Sequence, residues 1–491
     1  MKLGKTAVVL GGSAAGLCAA GALAPYFGQV VVLERDVLPA EAEHRRGVPQ
    51  SKHPHFLLNS GRRAIGELFL GFEDDLVAVG GLHLMPSMDA AYLDGEGWSV
   101  RKRSAMTMIY SSRVLIERVL RDKVRELANV HIREGVTVNG LTVRGGGTRD
   151  GEVTGIDLSG DEHLDADLVV DAMGRGSSVG GWLRAAGWPE LETQTLDAKV
   201  TYTSRWYELP AQRPPSWWWR HIVVMPSQDK GEHPAEHEFL VNFFPIEGNR
   251  AIACMGSWGL DMPHTDDTFA ESARRVRTPL FADAIDRCTP ISEVHLTRST
   301  GNTWRRYDRW ATPPRGLVFV GDSICAFNPF YAQGISSASS SALLLREHLS
   351  RADHLDATFT SRFLGAQRKL LGVPWRLAMA RDQGYACAVG TEKPPEWRRR
   401  ILAAVSDPAF SFIVGAARED AVIDEHFTKV FNLDESLGDM LGNPRVLARL
   451  LRYGIRAALG RRRVPFGFDP QAEPPATDYS SAGGSAQVAA R

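Results

Sequence analysis

The stretch from Thr6 to Glu34 constrains the fold more than any other part of the chain. Thr6-Ala-Val-Val-Leu10 is a short β-branched and apolar run suited to a strand buried on both faces. Gly11-Gly12-Ser13-Ala-Ala15-Gly16 follows directly. Leu17 to Leu23 is rich in alanine and leucine, Pro25 and Gly28 end the helical pattern, and Gln29-Val-Val-Val-Leu33 is a second buried strand closing on Glu34. Together they form a complete βαβ unit. Gly11 permits the tight turn, position 13 must be small so that the backbone approaches a diphosphate, and Gly16 lets helix and strand pack closely. Ser13 stands at the small position, and its hydroxyl can itself bond a phosphate. The helix N-terminus offers free N–H groups, and Glu34, with Arg35 beside it, sits where an acid binds a ribose hydroxyl pair. The pattern implies a dinucleotide cofactor. FAD and NAD share this unit, so the motif alone does not choose between them.

Composition narrows the rest. With 57 Lys and Arg against 58 Asp and Glu, the chain lacks the cationic surplus that phosphate backbones require, so a nucleic-acid partner is not expected. Five scattered cysteines without a CxxC pair indicate neither a disulfide framework nor a zinc site, and fit a reducing cytoplasm. The length of 491 residues provides material for about three domain-sized cores. No apolar run is long enough for a membrane-spanning helix, and the glycines of the opening stretch argue against a signal peptide.

Two further segments carry glycines after buried strands. Asp165-Ala-Asp-Leu-Val-Val-Asp171 runs into Ala-Met-Gly174-Arg175-Gly-Ser177, and Gly316-Leu-Val-Phe-Val320 runs into Gly321-Asp322-Ser323. The latter continues through Asn328-Pro329-Phe330-Tyr331-Ala-Gln333-Gly334-Ile335-Ser336 into a small-residue helix. The three segments in this order resemble the class A flavoprotein monooxygenases, the group built like para-hydroxybenzoate hydroxylase. The resemblance implies FAD, with the first motif on its ADP half and Asp171 and Gly174 near the diphosphate. It places Asp322 on the ribityl chain, and Pro329, Gln333, Gly334 and Ile335 at the flavin ring. Asp171-Ala-Met-Gly174 replaces the family's adjacent Asp-Gly, and Asp322-Ser-Ile-Cys-Ala-Phe replaces its GDAAH. Ser112-Arg113 resembles the family's Ser-Arg helix, whose arginine reaches the FAD diphosphate or ribityl region. Arg45-Arg46-Gly-Val-Pro-Gln50 with His53 and His55 resembles the RGVPQxxHxH loop of flavin-dependent epoxidases of polyether polyketide biosynthesis, as do Arg-Ser-Thr-Gly-Asn302 and Arg306-Tyr-Asp308. Arg46 and Gln50 are therefore expected at the cofactor. His53 and His55 lack a carboxylate or Cys at a ligand-like offset, so no metal site is expected.

Residues from about 195 to 310 change character, with alternating runs at 198–206, 239–244 and 251–255 that read as antiparallel strands. The expected fold is α/β. A Rossmann-like, para-hydroxybenzoate-hydroxylase-like FAD domain comprises 1–75, 100–190 and 311–350, with an inserted antiparallel substrate sheet at 76–99 and 191–310. A helical region at 351–467 and a disordered tail at 468–491 complete the chain. Trp206, Trp219, Phe243, Met255, Phe330 and Tyr331 are the expected substrate pocket, since an aromatic-rich sheet over a flavin suits a large apolar molecule. The arginine-rich segment 445–463 reads as the solvated face of a packed terminal helix, with an anionic membrane or a partner as the alternative.

No nucleophile and base pair is evident, as expected where the cofactor carries the chemistry. The resemblance implies a monooxygenase in which a flavin hydroperoxide gives one oxygen atom of O2 to a large hydrophobic polyketide or terpenoid, by alkene epoxidation, with NADPH or NADH as electron source directly or through a reductase. Aromatic hydroxylation on the same fold is the first rival. A flavin reductase, desaturase or halogenase is the second, the halogenase being disfavoured because its WxWxIP motif is not found. A flavin-binding scaffold without turnover is the third.

Overall fold

A computed structural model describes residues 2–461 except 96, 105, 227–233, 236–237 and 299, and also 471 and 473–476. Most of the expected tail at 468–491 lies outside the described residues. The chain opens with β1 (Gly4–Leu10), α1 (Ala14–Leu23) and β2 (Phe27–Leu33), the expected βαβ unit. It continues through β3 (Ala90–Asp94), α2 (Arg113–Arg125), β4 (Val130–Arg133) and β5 (Leu168–Asp171). Next come β6 (Val200–Glu208), β7 (His221–Val224), β8 (Leu240–Ile246), β9 (Arg250–Trp258) and β10 (Leu317–Phe319). The helices α3 (Gly334–Ser350), α4 (Ala357–Asp382), α5 (Glu396–Glu419) and α6 (Pro444–Ala458) follow.

Five of these strands form a parallel sheet in the order β10-β5-β1-β2-β4. A parallel sheet is covered on both faces, which is why β1 is apolar at every position after Thr6. Ala7 and Val9 pack with α1, α2 and α3, while Val8 and Leu10 face a second core built with Ile156, Leu158 and Trp188. Small residues bring the helices close. A Cβ on Gly21 would lie 2.4 Å from Phe69, and one on Gly61 would lie 2.5 Å from the Ser336 hydroxyl.

The other large sheet has eight strands, and its central run β6-β9-β8-β7 is antiparallel. Its register opposes Tyr202 to Gly256, Ser204 to Cys254, Trp206 to Ile252 and Phe244 to Ile252. Alternation therefore places even-numbered residues of β6, β8 and β9 on one face and odd-numbered ones on the other. The odd face, with Tyr207, Val241, Phe243, Ala253 and Met255, forms a core with Phe269 and Phe281 of the helices Asp266–Arg274 and Leu280–Asp286. The even face looks toward the parallel sheet and its connections.

Candidate functional site

The three glycine-bearing segments meet at the C-terminal edge of β1. Gly11 adopts φ +104°, and a Cβ there would lie 2.7 Å from the Ala172 carbonyl of the second segment. Gly321 of the third segment has φ +67°, and its Cβ would lie 2.8 Å from Ala15. The Ser323 hydroxyl donates to the Asp171 carbonyl at 2.7 Å, closing the triangle. Gly16 is the most demanding position, because a Cβ would fall 1.8 Å from the Gly11 carbonyl oxygen. The Ser13 side chain makes no capping bond, leaving its hydroxyl available at the start of α1.

A buried charge network surrounds this turn. The Glu34 carboxylate accepts from the Gly12 N–H at 2.9 Å and the Asp36 N–H at 3.0 Å, and pairs with Arg45 at 3.1 Å. Arg45 also binds Asp36 at 2.9 Å and lies 3.6 Å from Glu117, which in turn pairs with Arg113. Burial opposes charge on Arg45, but Glu117, Glu34 and Asp36 more than offset it and hold the guanidinium above its ordinary range. Burial likewise opposes ionisation of Glu117, and Arg113 and Arg45 reverse it, keeping its carboxyl below the ordinary value. Nε and Nη2 of Arg45 are buried without a hydrogen-bond acceptor, and Oε1 of Gln333 is buried without a donor.

Among the expected cofactor residues, Gly11, Gly12, Ser13, Ala15, Gly16, Glu34, Arg113, Asp171 and Asp322 belong to this convergence. Arg35, Arg46 and Gln50 are exposed. Within the Arg45-Arg46 pair, the side chain drawn into the network is that of Arg45, which meets three carboxylates, whereas Arg46 is exposed. Asp171 is fully buried, accepting from the Met173 N–H at 3.0 Å and the Ser177 hydroxyl at 2.5 Å, and burial pushes its carboxyl up to about 6. Gly174 has φ +75° with open space around its α-carbon. Arg175 reaches toward Asp322 at 3.4 Å and donates to the carbonyls of Gly301 and Phe327, while Arg305 donates to those of Asp322, Ser323 and Arg175. These arginines line a cavity of about 320 Å³. A second cavity of about 310 Å³ abuts Arg45 and Asp36. Pro329 is exposed, Gly334 is half-buried, and Ile335 packs into the core beneath α1.

The expected substrate set divides between the faces of the large sheet. Trp219, Phe243 and Met255 lie in the helix-covered core, a correction that follows from alternation, since residues 243 and 255 are odd-numbered and Trp219 is buried with them. Trp206 is on the even face, where its indole donates to the Lys52 carbonyl at 2.9 Å. Phe330 lies on that face too, its ring 5.5 Å from Tyr202 and 5.1 Å from Trp258. Phe330 is admitted by Gly256, where a Cβ would come within 2.1 Å of it. Sequence reasoning missed Gly256, because only the strand register shows what it faces.

Polar residues complete the even face. His53 bonds the Ser204 hydroxyl at 2.8 Å and lies edge-on to Tyr202. His221 bonds the Tyr110 hydroxyl through Nδ1 and the Asn242 side-chain oxygen through Nε2, each at 3.2 Å. Burial pushes His53 down to about 3, and His55 and His221 down to about 4, so all three imidazoles are neutral at physiological pH. Behind Phe330, the carboxyl of Asp382 at the end of α4 accepts from four side chains: Trp258 Nε1 at 2.9 Å, Asn302 Nδ2 at 2.7 Å, Asn328 Nδ2 at 3.1 Å and Tyr331 OH at 2.5 Å.

Comparison with known proteins places this arrangement. The chain is 30% identical over 476 residues to Protein Rv3254 of Mycobacterium tuberculosis, covering 93% of this chain and 95% of that protein. The chain belongs to the family of Rv3254. No protein-family model matches it. In fold, this Rv3254 relative resembles the flavin-dependent brominase Bmp2 (TM-score 0.62, 12% identity, 93% of this chain and 100% of that one). It also resembles the p-nitrophenol 4-monooxygenase PnpA of Pseudomonas putida DLL-E4 (TM-score 0.60, 17% identity, 88% and 99%). A third similar structure is PqsL, a probable FAD-dependent monooxygenase from Pseudomonas aeruginosa (TM-score 0.57, 17% identity, 82% and 100%). The fold is thus that of the FAD-dependent monooxygenases, with mixed α/β sheets and a C-terminal helical region.

The residues present fit an FAD. The Gly11–Gly16 turn is so tight that a Cβ at position 16 would strike the Gly11 carbonyl, the closeness that a diphosphate-binding turn requires, and Nη2 of Arg45 beside it is buried without a hydrogen-bond acceptor and suits a diphosphate or ribose oxygen.

Proposed function

We propose that this chain is an FAD-dependent monooxygenase that places one oxygen atom of O2 into a large apolar natural product, by alkene epoxidation of a polyketide or terpenoid. NADPH or NADH is the electron source, directly or through a reductase. The observation that carries the reading is the convergence of three glycine-bearing segments on the tight turn at the start of α1. Bound and reduced, the flavin would supply the activation of O2. The chain's own residues hold and shelter that chemistry. Arg45, Arg113 and the α1 amides would hold the diphosphate and Asp322 the ribityl hydroxyls, while the even face of the sheet, with Tyr202, Trp206 and Phe330, would exclude water and orient an apolar substrate.

Aromatic hydroxylation is the second reading, and a specific observation favours it: the hydrogen-bonded chain Tyr110–His221–Asn242 puts a tyrosine and a neutral histidine on the even face, groups that would hold a phenol hydroxyl by hydrogen bonds. The test is to identify the chromophore released on denaturation, then reduce the purified protein without oxygen and admit isotopically labelled O2 with either a lipophilic polyene or a phenol. FAD released, with one labelled atom in the polyene, is the expected result. Label in the phenol alone would select hydroxylation, and label in neither, with plain flavin reoxidation, would overturn both.

A further inference from the structure

The C-terminal helices present an apolar surface that the described fold leaves uncovered. On α6, Val446, Leu450 and Tyr453 are buried, with Tyr453 packed edge-on to Phe412 of α5. The same helix carries a second apolar stripe, Leu447, Leu451 and Ile455, which Leu459 extends just past its end. These residues are 57%, 66%, 56% and 62% exposed. At about 100° per residue, this stripe lies on the side of the helix away from the buried one, and Arg445, Arg449, Arg452 and Arg456 run in a row along one edge between them. The segment is a packed terminal helix with its arginines on the solvated side, as the sequence reading has it, and the structure adds that the outermost face is apolar.

Residues 444–461 contain five arginines and no acid. Arg449 and Arg456 pair with Asp420 and Glu419, whereas Arg445, Arg452 and Arg461 have no ion-pair partner among the described residues. The neighbouring α5 repeats the chemistry. Trp397, Ile401 and Val405, spaced four apart, are 65%, 57% and 66% exposed, and Arg398-Arg-Arg400 interrupts them. By length and composition alone α5 is apolar enough to cross a bilayer, and little of it is buried.

We propose that this face docks on an anionic lipid surface, with α6 lying in the interface plane, its outer leucine stripe in the acyl boundary and its arginines at the headgroup phosphates. Charge decides the occupant. An apolar stripe edged by arginines is the pattern that an anionic headgroup layer satisfies, and long arginine side chains extend to phosphates while their stems stay on apolar surface. A second copy docking through the same face would meet it with the same arginines.

The full chain is mixed with phosphatidylcholine vesicles and with vesicles containing phosphatidylglycerol, and the bound fraction is measured by sedimentation. We expect at least about tenfold tighter partitioning to the anionic vesicles. It should weaken as salt rises from about 0.1 M to about 1 M, where the Debye length shrinks from about 10 Å to about 3 Å. The exposed triple variant Leu447→Gln/Leu451→Gln/Ile455→Gln should lose it, and Arg445→Gln/Arg452→Gln should lose the anionic preference, both with unchanged circular dichroism. No binding to either vesicle, or equal salt-insensitive binding to both, would overturn the proposal. So would a dimer in sedimentation velocity that the leucine variant dissolves in the absence of vesicle binding, which would assign the face to a second copy.

Discussion

Replacing Asp382 is the sharpest test of how the C-terminal helices support the proposed flavin site. Its carboxyl gathers a tryptophan from the large sheet, Asn302, and both Asn328 and Tyr331 from the third glycine-bearing segment. Asp382→Ala would strand four donors, three of them buried and the Tyr331 hydroxyl half-buried. At about 1–3 kcal/mol for each unsatisfied buried donor the gross penalty is several kcal/mol. Burial also makes the carboxyl costly, raising its pKa, so relief of that cost offsets part of the loss. The net expectation is a destabilisation of about 3–5 kcal/mol, the range for breaking a buried charged cluster from one side. Asp382→Asn keeps the shape but turns one acceptor into a donor that faces donors, and should cost about 1–3 kcal/mol. Tyr331→Phe removes a single bond to the carboxyl and should cost about 1.5–3 kcal/mol. Urea unfolding of the flavin-loaded protein, followed by tryptophan fluorescence and by flavin release, measures all three. If the third glycine-bearing segment holds the flavin as proposed, flavin release should shift to lower urea in parallel with unfolding of the tryptophan signal, because Asn328 and Tyr331 belong to it. A loss under about 1 kcal/mol for Asp382→Ala would refute the reasoning. So would additivity of Tyr331→Phe with Asp382→Asn to within about 0.3 kcal/mol, since partners in one network must couple.

Three other outcomes follow from the geometry. Gly16→Ala drives a Cβ into the Gly11 carbonyl at 1.8 Å, and should cost about 3 kcal/mol or more and yield protein without bound flavin, read from the visible-to-ultraviolet absorbance ratio. Gly256→Ala places a Cβ 2.1 Å from Phe330 and 2.6 Å from Tyr202, so it should cost about 1–3 kcal/mol in thermal unfolding and raise KM for an apolar substrate as Phe330 is displaced. His53, His55 and His221 titrate well below their ordinary 6.5, at about 3, about 4 and about 4. The unfolded chain therefore binds more protons than the folded one across that window. Stability is full above pH 6.5 and falls as pH drops, by about 2 kcal/mol per histidine at pH 5. Urea midpoints measured between pH 5 and 8 check this, and a flat profile would refute burial of neutral imidazoles.

What was legible in the sequence was local, and what was hidden depended on register or on distant partners. The β1–α1–β2 unit is readable because its causes are contiguous: an all-apolar strand, a turn whose glycines answer to their own neighbours, and a helix of small residues. The substrate face was not readable, because Phe243 and Phe244 are adjacent, equally aromatic and equally buried, and only their pairing with Ala253 and Ile252 assigns them to opposite sides of the sheet. The same ambiguity applied to Arg45 and Arg46, where one side chain enters a ring of three carboxylates drawn from residues 34, 36 and 117. Asp382 had no local signal at all. It is a single acid at the end of a long helix, and its four donors lie at positions 258, 302, 328 and 331. The α6 stripe shows the converse limit. Both leucine sets were visible, but helical period cannot say which packs inward until α5 lies against one of them. Once it does, the second set is left facing outward beside a row of arginines, so the choice of inner face in the core creates the outer surface on which the docking proposal rests.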